Sequence, residues 1–449
     1  MQEAEIPPRA IETFRYYYRK LVSGDTGMLP EESLLPVESV PQLADLDTRF
    51  ADRGKDLRRQ TVMLKLNGGL GTSMGLDRAK SILTVKQDLS FLDIIICQSL
   101  RFGFPLLLMN SFSTESDTAA VLERYPELKG DLPLTFLQHK VPKIERRTLE
   151  AVDYPRDPQL EWCPPGHGDL YNALVTSRAL DSLLEAGVEY AFISNSDNLG
   201  ATLDERILGH FADQELDFLM EVARRTEADR KGGHLARSRD DHRLLLRESA
   251  QCPEDDLDQF QDIERYRFFN TNNLWIRLQT LRDKLEQEQF LRLPMIRNAK
   301  TVDPRDPDSI PVYQLETAVG AAIGLFERAG AIEVPRGRFA PVKTCEDLLV
   351  VRSDATVLTE DCRIIPAPER TEGPPLVSLD DRYYRLIDDL ESRFPEGPPS
   401  LVGCRSLKVR GDIRFGADVR LLGDVELVNR SDGQARIEMA TIEGGKVFH

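Results

Sequence analysis

The chain has 449 residues, of which 41% are hydrophobic, and a formal net charge of −17 at pH 7. This length predicts two or three domains, and the acidic balance argues against a general nucleic-acid-binding protein, which needs a basic face. The sequence contains no apolar run of about 18 residues, the length that a membrane-spanning helix requires. We therefore expect neither nucleic acid nor a membrane as a partner.

The six cysteines are scattered along the chain and form no CxxC motif. They are Cys97, Cys163, Cys252, Cys345, Cys362 and Cys404. In a large chain this usage predicts reduced thiols, not a disulfide framework or a zinc site. The first residues, MQEAEIPPRAIETF, lack the basic and then apolar layout of a secretory signal. These features together predict a cytoplasmic protein.

Residues 1–55 are predicted to form a helical segment followed by a wrapping segment. Apolar residues recur at helical spacing within residues 9–22, which indicates an amphipathic helix. They are Ile11, Phe14, Tyr18 and Leu21. A stretch that contains proline and aspartate follows and is predicted to wrap around the next domain.

Residues 56–393 show short apolar runs that alternate with helical segments such as 170–186. The apolar runs are residues 104–111, 132–139, 189–197 and 216–223. Buried strands that alternate with helices are typical of an α/β domain with a largely parallel sheet. We expect this domain to carry the chemistry.

Residues 394–449 begin with a Pro/Gly-rich linker, FPEGPPSLVG. After the linker, apolar residues recur every six positions in two series. One apolar series is Leu407, Ile413, Val419 and Val425, and the other is Val409, Phe415, Leu421 and Leu427. A six-residue apolar period is typical of a left-handed parallel β-helix. Since about four repeats are present, a β-meander with accidental spacing remains an alternative.

The stretch LKLNGGLGTSMGLDRAK, residues 64–80, places four glycines directly after an apolar strand. Glycine-rich backbone after a strand can surround an anion with N–H groups, so the loop is interpreted as a phosphate cradle. It does not fit GxxxxGK[ST], and a GxGxxG pattern fails at Met74. Tight turns also use such glycines, but Arg78 and Lys80 just beyond favour anion binding.

The same stretch resembles the nucleotide-binding loop of the eukaryotic-type UTP–glucose-1-phosphate uridylyltransferase family, also called UDP-glucose pyrophosphorylases. Further blocks resemble that family in order from about residue 10 through the tail: NSFST, QHKVPKI, WCPPGHGDLY, SNSDNLGA, GGHLAR, NTNNLW, QLETAVGAAI and RFAPVKTCEDLL. Pyrophosphorylases that act on N-acetylhexosamine 1-phosphates have a different loop, closer to LAGGxGTRLG.

The resemblance implies a Rossmann-like nucleotide-diphospho-sugar transferase domain with a mixed, mostly parallel sheet, and the C-terminal β-helix. It also implies the reversible reaction of UTP with glucose 1-phosphate to give UDP-glucose and pyrophosphate, with Mg²⁺ and no covalent intermediate. Since the C-terminal β-helix can mediate assembly in the family, a homo-oligomer is a further expectation.

The resemblance assigns roles to individual residues. Loop residues contact the nucleotide, together with a glutamine and a glycine: Leu66, Asn67, Gly68, Gly69, Gln138 and Gly166. Substrate contacts are assigned to His167, Asn195 and Ser196. Because amides suit sugar hydroxyls, we expect Asn272 of NTNNLW to contact glucose, with Glu316 as a second acceptor. Two lysines neutralise phosphate charge, and one aspartate is catalytic and holds Mg²⁺: Lys80, Lys343 and Asp197.

One position departs from the family. Ala299 stands in the stretch RNAKTVDP where the family usually has a proline, so we expect a slightly looser loop there, with activity retained.

Three other functions compete with UDP-glucose synthesis. The first is the same chemistry on another sugar 1-phosphate, such as galactose 1-phosphate. The second is a UDP-sugar-binding or scaffolding protein, which the joint presence of Lys80, Asp197 and Lys343 disfavours. The third is an NAD-linked dehydrogenase, which the failed GxGxxG pattern disfavours.

Overall fold

The computed structural model describes residues 1–448. Its α-helices are α1 (Pro8–Val22), α2 (Arg49–Asp56), α3 (Phe91–Phe102), α4 (Glu115–Leu122), α5 (Leu170–Thr176), α6 (Ala179–Glu185), α7 (Glu205–Asp213), α8 (Leu257–Gln261), α9 (Leu278–Glu288), α10 (Cys345–Arg352), α11 (Asp381–Tyr384) and α12 (Ile387–Arg393). In the described part of the chain, no helix is both long enough and apolar enough to span a membrane.

The strands are β1 (Leu34–Pro36), β2 (Thr61–Asn67), β3 (Thr84–Lys86), β4 (Leu89–Ser90), β5 (Leu106–Asn110), β6 (Thr135–Leu137), β7 (Val141–Pro142), β8 (Ile144–Glu145), β9 (Trp162–Cys163), β10 (Tyr190–Asn195), β11 (Phe218–Arg224), β12 (His234–Ser238), β13 (Leu244–Arg247), β14 (Phe268–Arg277), β15 (Met295–Thr301), β16 (Pro311–Thr317), β17 (Ala329–Glu333), β18 (Thr356–Leu358), β19 (Ile364–Pro366), β20 (Leu376–Ser378), β21 (Cys404–Arg410), β22 (Ile413–Phe415), β23 (Val419–Asn429), β24 (Ala435–Ile437) and β25 (Ala440–Phe448).

A mixed ten-stranded sheet forms the centre of the α/β region. Seven strands follow the order β1-β12-β14-β10-β2-β5-β6, while β11 joins β14 to β17 and β13 pairs with β12. The strands around the glycine loop, β10, β2, β5 and β6, are parallel to their neighbours in that order. The structure therefore confirms the predicted α/β class and the parallel pairing at the loop.

Strand β2 is buried along its whole length because helices cover both faces of the sheet. Val62, Leu64 and Leu66 pack into one apolar cluster together with residues of α5 and α6. Met63 packs into a second cluster with residues of α3 and α7. This alternation follows from the two-residue period of a strand, and it explains why apolar residues occupy both faces of β2.

The carboxyl ends of three parallel strands meet at one edge of the sheet. Asn67 at the end of β2 lies beside Asn110 at the end of β5, and Leu66 lies beside Asn195 at the end of β10. Open α/β sheets bind ligands at this edge. The glycine loop and the SNSD segment therefore start from adjacent points.

The helical stretch predicted at 170–186 is interrupted in the structure. Helix α5 ends at Thr176 and α6 begins at Ala179, because Arg178 adopts a left-handed backbone conformation with φ of 63°. The Ser177 hydroxyl donates to the Ala173 carbonyl at 2.6 Å at this break. Apolar residues lie on both sides of the break, so the prediction of one continuous helix is wrong at Ser177 and Arg178.

The C-terminal strands are parallel, as the six-residue period predicts. Strand β21 pairs with β23 so that Leu407 lies opposite Val425 and Val409 opposite Leu427. This offset is three six-residue repeats, which places residues of the same series above one another, and all eight residues of the two series are buried. The parallel pairing excludes the β-meander alternative.

The prediction of six reduced thiols is wrong at one pair. Cys97 in α3 and Cys362 form a disulfide whose Cα atoms are 6.0 Å apart, although the residues are 265 positions apart in the sequence. Helix α3 packs beside the turn between β18 and β19, where the Gln98 side-chain amide donates to the Cys362 carbonyl at 2.8 Å. The other four cysteines are free and buried.

The N-terminal segment is held to the α/β region by close backbone contacts. A Cβ atom added at Gly54 in α2 would overlap the Glu205 carbonyl at the start of α7, and one added at Gly209 would overlap the Phe50 carbonyl. Only glycine permits two helices to approach this closely. The predicted domain boundaries at residues 55 and 393 stay predictions.

We expect the Gly54→Ala variant to unfold at a lower temperature than the parent protein. The added methyl must force α2 away from α7, and overpacking of this kind costs about 1–3 kcal/mol. Gly130→Ala is the matched control, because nothing lies within 4 Å of its added Cβ. Equal unfolding midpoints for the two variants would contradict the close contact.

Candidate functional site

The glycine loop leaves β2 and turns back towards the sheet edge. Gly71 and Gly75 have φ values of 69° and 76°, a conformation that favours glycine. A Cβ added at Gly68 would lie 3.1 Å from the Gln138 side-chain oxygen, whereas one added at Gly69 would meet nothing within 4 Å. The loop therefore brings Gly68 and Gln138 together and leaves open space beside Gly69.

Polar contacts from the end of β5 and from the first residues of α4 fix the start of the loop. The Asn67 side-chain amide donates to the Asn110 side-chain oxygen and to the Thr118 hydroxyl, both at 2.9 Å. The Thr114 hydroxyl donates to the Asn67 carbonyl at 2.8 Å. The Asn67 side chain is thus buried, and its amide group already has partners. The predicted nucleotide contacts of Asn67 and Leu66 would therefore be made by their backbone atoms, and they stay predictions.

Lys80 and Asp197 form an ion pair at the sheet edge. The Lys80 ammonium donates to the Asp197 carboxylate at 2.7 Å, and only 11% and 20% of the two side chains are exposed. The Lys80 amide also donates to the Gly69 carbonyl at 3.1 Å, which ties the lysine to the loop. Arg78, by contrast, is exposed and lies near Asp117.

A second loop, residues 164–169, closes the site opposite the glycine loop. The Gln138 side-chain amide donates to the Gly166 carbonyl at 2.8 Å. Gly166 has a φ of 78°, and a Cβ there would overlap the backbone of Thr317 and lie 3.0 Å from the Cβ of Glu316. Three predicted site residues, Gln138, Gly166 and Glu316, therefore converge.

His167 is held as a neutral imidazole. Its Nδ1 accepts a hydrogen bond from the Val319 amide at 2.9 Å, so the ring hydrogen is on Nε2. Burial, reinforced by the positive charge of Lys343, lowers the pKa of His167 to about 4. A neutral ring with a hydrogen on Nε2 can donate to an oxygen of a ligand.

Backbone contacts bring residues 337–343, the Lys343 segment, to residues 196–200 after β10, the Asp197 loop. The Val342 amide donates to the Asp197 carbonyl at 3.0 Å, and Asn198 forms an isolated antiparallel β-bridge with Pro341. Lys343 itself is exposed. Asn195 ends β10 and Ser196 begins the same loop, where the Ser196 amide donates to the Leu66 carbonyl at 3.1 Å.

Asn272 lies in an irregularity of β14, where the register with β11 shifts between Glu221 and Val222. It has a positive φ of 57°. Its side-chain oxygen accepts a hydrogen bond from the Asn270 amide at 2.7 Å, and its backbone amide donates back to Asn270 at 2.9 Å. Bulges of this kind re-aim a side chain, but the contacts of Asn272 are with Asn270 and not with another predicted site residue.

The looser loop expected at Ala299 is wrong. Ala299 lies within β15, opposite Tyr313 of β16, in an unbroken antiparallel ladder. An alanine extends this strand without difficulty because it keeps the backbone N–H that a proline lacks.

Glu316 lies in β16, opposite Ile296 of β15. Burial raises the pKa of its carboxyl, while a hydrogen bond to Asn298 and the positive charge of Lys300 oppose that shift.

Glu248 is a candidate site residue that sequence reasoning missed, because its carboxyl lies within the electrostatic influence of Lys343. Burial raises the pKa of its carboxyl, and the nearby positive charge of Lys343 opposes that shift. A Cβ added at Gly233 would overlap the Glu248 carboxylate, so the glycine pair in GGHLAR makes room for it. The two glycines were the available signal, but the carboxylate that they accommodate follows 15 residues later in a stretch without a motif.

Comparisons with known proteins agree on one family. The family described as UTP–glucose-1-phosphate uridylyltransferase matches residues 11–422. Among proteins of that name, the potato (Solanum tuberosum) protein is 38% identical over 94% of this chain and 86% of its own length. The barley (Hordeum vulgare) protein is 40% identical over 89% of this chain and 83% of its own length.

Solved structures give the same result. The UDP-glucose pyrophosphorylase from Leishmania major, known in open and closed structures, superposes with a TM-score of 0.91 at 44% identity and covers 100% of this chain and 97% of its own. A UDP-glucose phosphorylase from Trypanosoma brucei gives a TM-score of 0.88 at 47% identity, with the same two coverages.

The lowered pKa of His167 predicts a loss of stability in acid. The folded protein takes up this proton only near pH 4, whereas an unfolded chain takes it up near pH 6.5, so protonation favours unfolding as the pH falls below about 6.5. At pH 5 the free energy of unfolding is therefore lower by about 2 kcal/mol than at neutral pH.

Thermal unfolding at pH 7.5 and pH 5 tests this prediction. Between these two pH values, the unfolding temperature should fall less for His167→Gln than for the parent protein. His242→Gln, at an exposed position, is the control. An equal drop for His167→Gln and the parent would contradict the assignment.

Proposed function

The chain belongs to the UTP–glucose-1-phosphate uridylyltransferase family, and we propose that it joins UTP to glucose 1-phosphate by a single in-line displacement. The activity of the family makes UDP-glucose, so the chain is an enzyme of this class. A phosphate oxygen of the sugar attacks the α-phosphorus of UTP. The bond from this phosphorus to the bridging oxygen breaks, its electron pair stays on that oxygen, and pyrophosphate leaves.

The ion pair between Lys80 and Asp197 is the observation that carries this proposal. It places a cation and a carboxylate 2.7 Å apart beside the glycine loop, and these are the two charges that a magnesium nucleotide needs. The nucleophile is already an anion at pH 7, so no general base is required. Positioning and neutralisation of charge are then the main contributions of the protein.

We assign the nucleotide to the space between the two loops. Backbone N–H groups of the glycine loop approach the phosphates, and the open space beside Gly69 leaves room for them. The side chain of Gln138, which presents both a donor and an acceptor, suits the edge of uracil. Lys80 neutralises the phosphates from the side of the loop, and Lys343 does so from the side of the sugar.

We assign the sugar contacts to side chains of β14, β16 and the turn after β13. Asn272, Glu316 and Glu248 offer amide and carboxylate oxygens that accept hydrogen bonds from hydroxyl groups. We assign further substrate contacts to Asn195 at the end of β10 and to Ser196, which precedes Asp197. His167 donates from Nε2 to a substrate oxygen.

Asp197 suits Mg²⁺ as a single protein ligand. In residues 1–448, no three His, Cys, Asp or Glu side chains are grouped so as to hold a metal ion. Mg²⁺ commonly keeps several waters and takes its other ligands from substrate phosphates, so one carboxylate is a fitting donor set. When bound, the ion neutralises charge on the pyrophosphate leaving group.

The proposal includes self-association through the C-terminal parallel sheet. Strand β25 is the last strand of that sheet and pairs with β23 on one side only. Nearby, 77% of Met439 and 44% of Val447 are exposed. An unpaired edge with apolar side chains favours contact with another chain.

Pyrophosphate release from purified protein with UTP and Mg²⁺ tests the reaction. We expect release with glucose 1-phosphate and little with galactose 1-phosphate or N-acetylglucosamine 1-phosphate. Similar release with several sugars would keep the chemistry and remove the preference for glucose. Release with none of them would contradict the proposed function.

Lys343→Ala should lower kcat on the order of 100-fold or more, as expected for the loss of one group that stabilises charge in the transition state. Because Lys343 is exposed, its truncation should leave the unfolding midpoint unchanged. Lys408→Ala, at an exposed position on the C-terminal sheet, is the matched control. Near-normal turnover of Lys343→Ala would refute the assigned role.

A further inference from the structure

We propose that Asn198 is a positioning residue that sets the distance between Asp197 and Lys343 and acts on the reaction through Lys343. This inference rests on the proposed function, because it takes Lys343 as the group that acts on the phosphates. Asn198 follows Asp197 directly in the chain. The motif SNSDNLGA contains it, but none of the roles assigned above uses it.

The Asn198 side chain makes four hydrogen bonds and is only 3% exposed. Its oxygen accepts from the Gly200 amide at 3.2 Å and from the Ala340 amide at 2.9 Å. Its amide donates to the Asn273 side-chain oxygen at 3.2 Å and to the Arg338 carbonyl at 3.1 Å. One side chain thus joins the Asp197 loop, the Lys343 segment and the central strand β14.

The backbone of the two segments is in close contact around this side chain. A Cβ added at Gly200 would overlap the carbonyl of Gly337. On the other side, the Val342 amide donates to the Asp197 carbonyl at 3.0 Å. Residues 337–343 therefore lie along residues 197–200, and Asn198 occupies the centre of the contact.

A buried ion pair anchors the Lys343 segment to the sheet. The Arg338 guanidinium donates to both oxygens of the Glu221 carboxylate, at 2.7 and 2.8 Å, and to the Thr202 carbonyl at 2.8 Å. Glu221 is fully buried and also accepts from the side chains of Asn273 and Trp275, each at 3.0 Å. A bidentate pair with every oxygen occupied holds one geometry.

A lysine holds the other side of the Asp197 loop. The Lys65 ammonium donates to the Ser194 hydroxyl at 2.7 Å and to the Ala201 carbonyl at 2.8 Å. These two residues flank the loop, so Lys65 fixes its two ends to β2. With the ends held by Lys65 and the Lys343 segment held by Arg338, Asn198 is the side chain that sets the relation between the two segments.

An alanine at position 198 would leave the Gly200 and Ala340 amides without their acceptor. The Lys343 segment could then shift relative to Asp197 while the sheet beneath it stays intact. Since Lys343 acts on charge that develops during the reaction, a shift should lower kcat more than it raises KM. A purely structural role would lower the unfolding temperature and leave the kcat of the folded protein unchanged.

A double-mutant cycle with Asn198→Ala, Lys343→Ala and the double variant tests this coupling. We expect Asn198→Ala to lower kcat on the order of tenfold or more, with KM for UTP changed by less than about threefold. In the Lys343→Ala background, Asn198→Ala should lower kcat by no more than about twofold. A full additional loss in that background, or an unchanged kcat for Asn198→Ala alone, would overturn the proposal.

The same cycle separates this inference from the proposed function. Near-normal kcat for Lys343→Ala would refute the role of Lys343 and, with it, the coupling. An impaired Lys343→Ala with additive losses would refute the coupling alone. If Asn198→Ala does not fold, Arg338→Lys replaces it in the cycle with the same expectations.

Asp217→Asn is the structural control. Asp217 pairs with Arg328 at 2.9 Å where β11 and β17 begin, whereas Glu221 and Arg338 pair further along β11 and beyond the end of β17. The control should lower the unfolding temperature without changing kcat. A comparable loss of kcat in Asp217→Asn would overturn the special role of Asn198.

Discussion

The ion pair between Lys80 and Asp197 joins the glycine loop to the loop after β10, and the geometry of the site depends on it. Both side chains are mostly buried, and their charged atoms are 2.7 Å apart. A charge removed from water without a partner is costly, so each of these groups needs the other while no substrate is present. A magnesium nucleotide offers both groups new partners, the phosphates for the lysine and the metal for the carboxylate.

The topology of the sheet makes this pairing available. Strands β2 and β10 are parallel neighbours, so the segments that leave their carboxyl ends emerge side by side, although about 130 residues separate them in the chain. The helices on both faces keep β2 in place. Beneath the loops, Lys65 holds Ser194 and Ala201, and Arg338 pairs with Glu221. The site is therefore built from loops whose ends are fixed.

Much of the fold could be predicted from the sequence because its patterns are local. The glycines of residues 68–75 and the six-residue period of the tail each report a backbone requirement that lies within a few residues. The residues that sequence reasoning missed depend on distant contacts. Glu248 is recognised only when Gly233 and Lys343 are seen beside it, and Cys97 gives no sign of Cys362. The break at Arg178 was missed because a single left-handed residue leaves no mark on the apolar pattern, and the strand at Ala299 was missed because its partner, β16, lies outside the local stretch.

A crystal structure of the protein with UTP and Mg²⁺ tests the central claim most directly. We expect the Lys80 ammonium to leave the Asp197 carboxylate and to contact a phosphate oxygen, while Asp197 binds the metal and the uracil lies beside Gln138. An unchanged contact of 2.7 Å between Lys80 and Asp197, with the nucleotide bound away from the glycine loop, would contradict it.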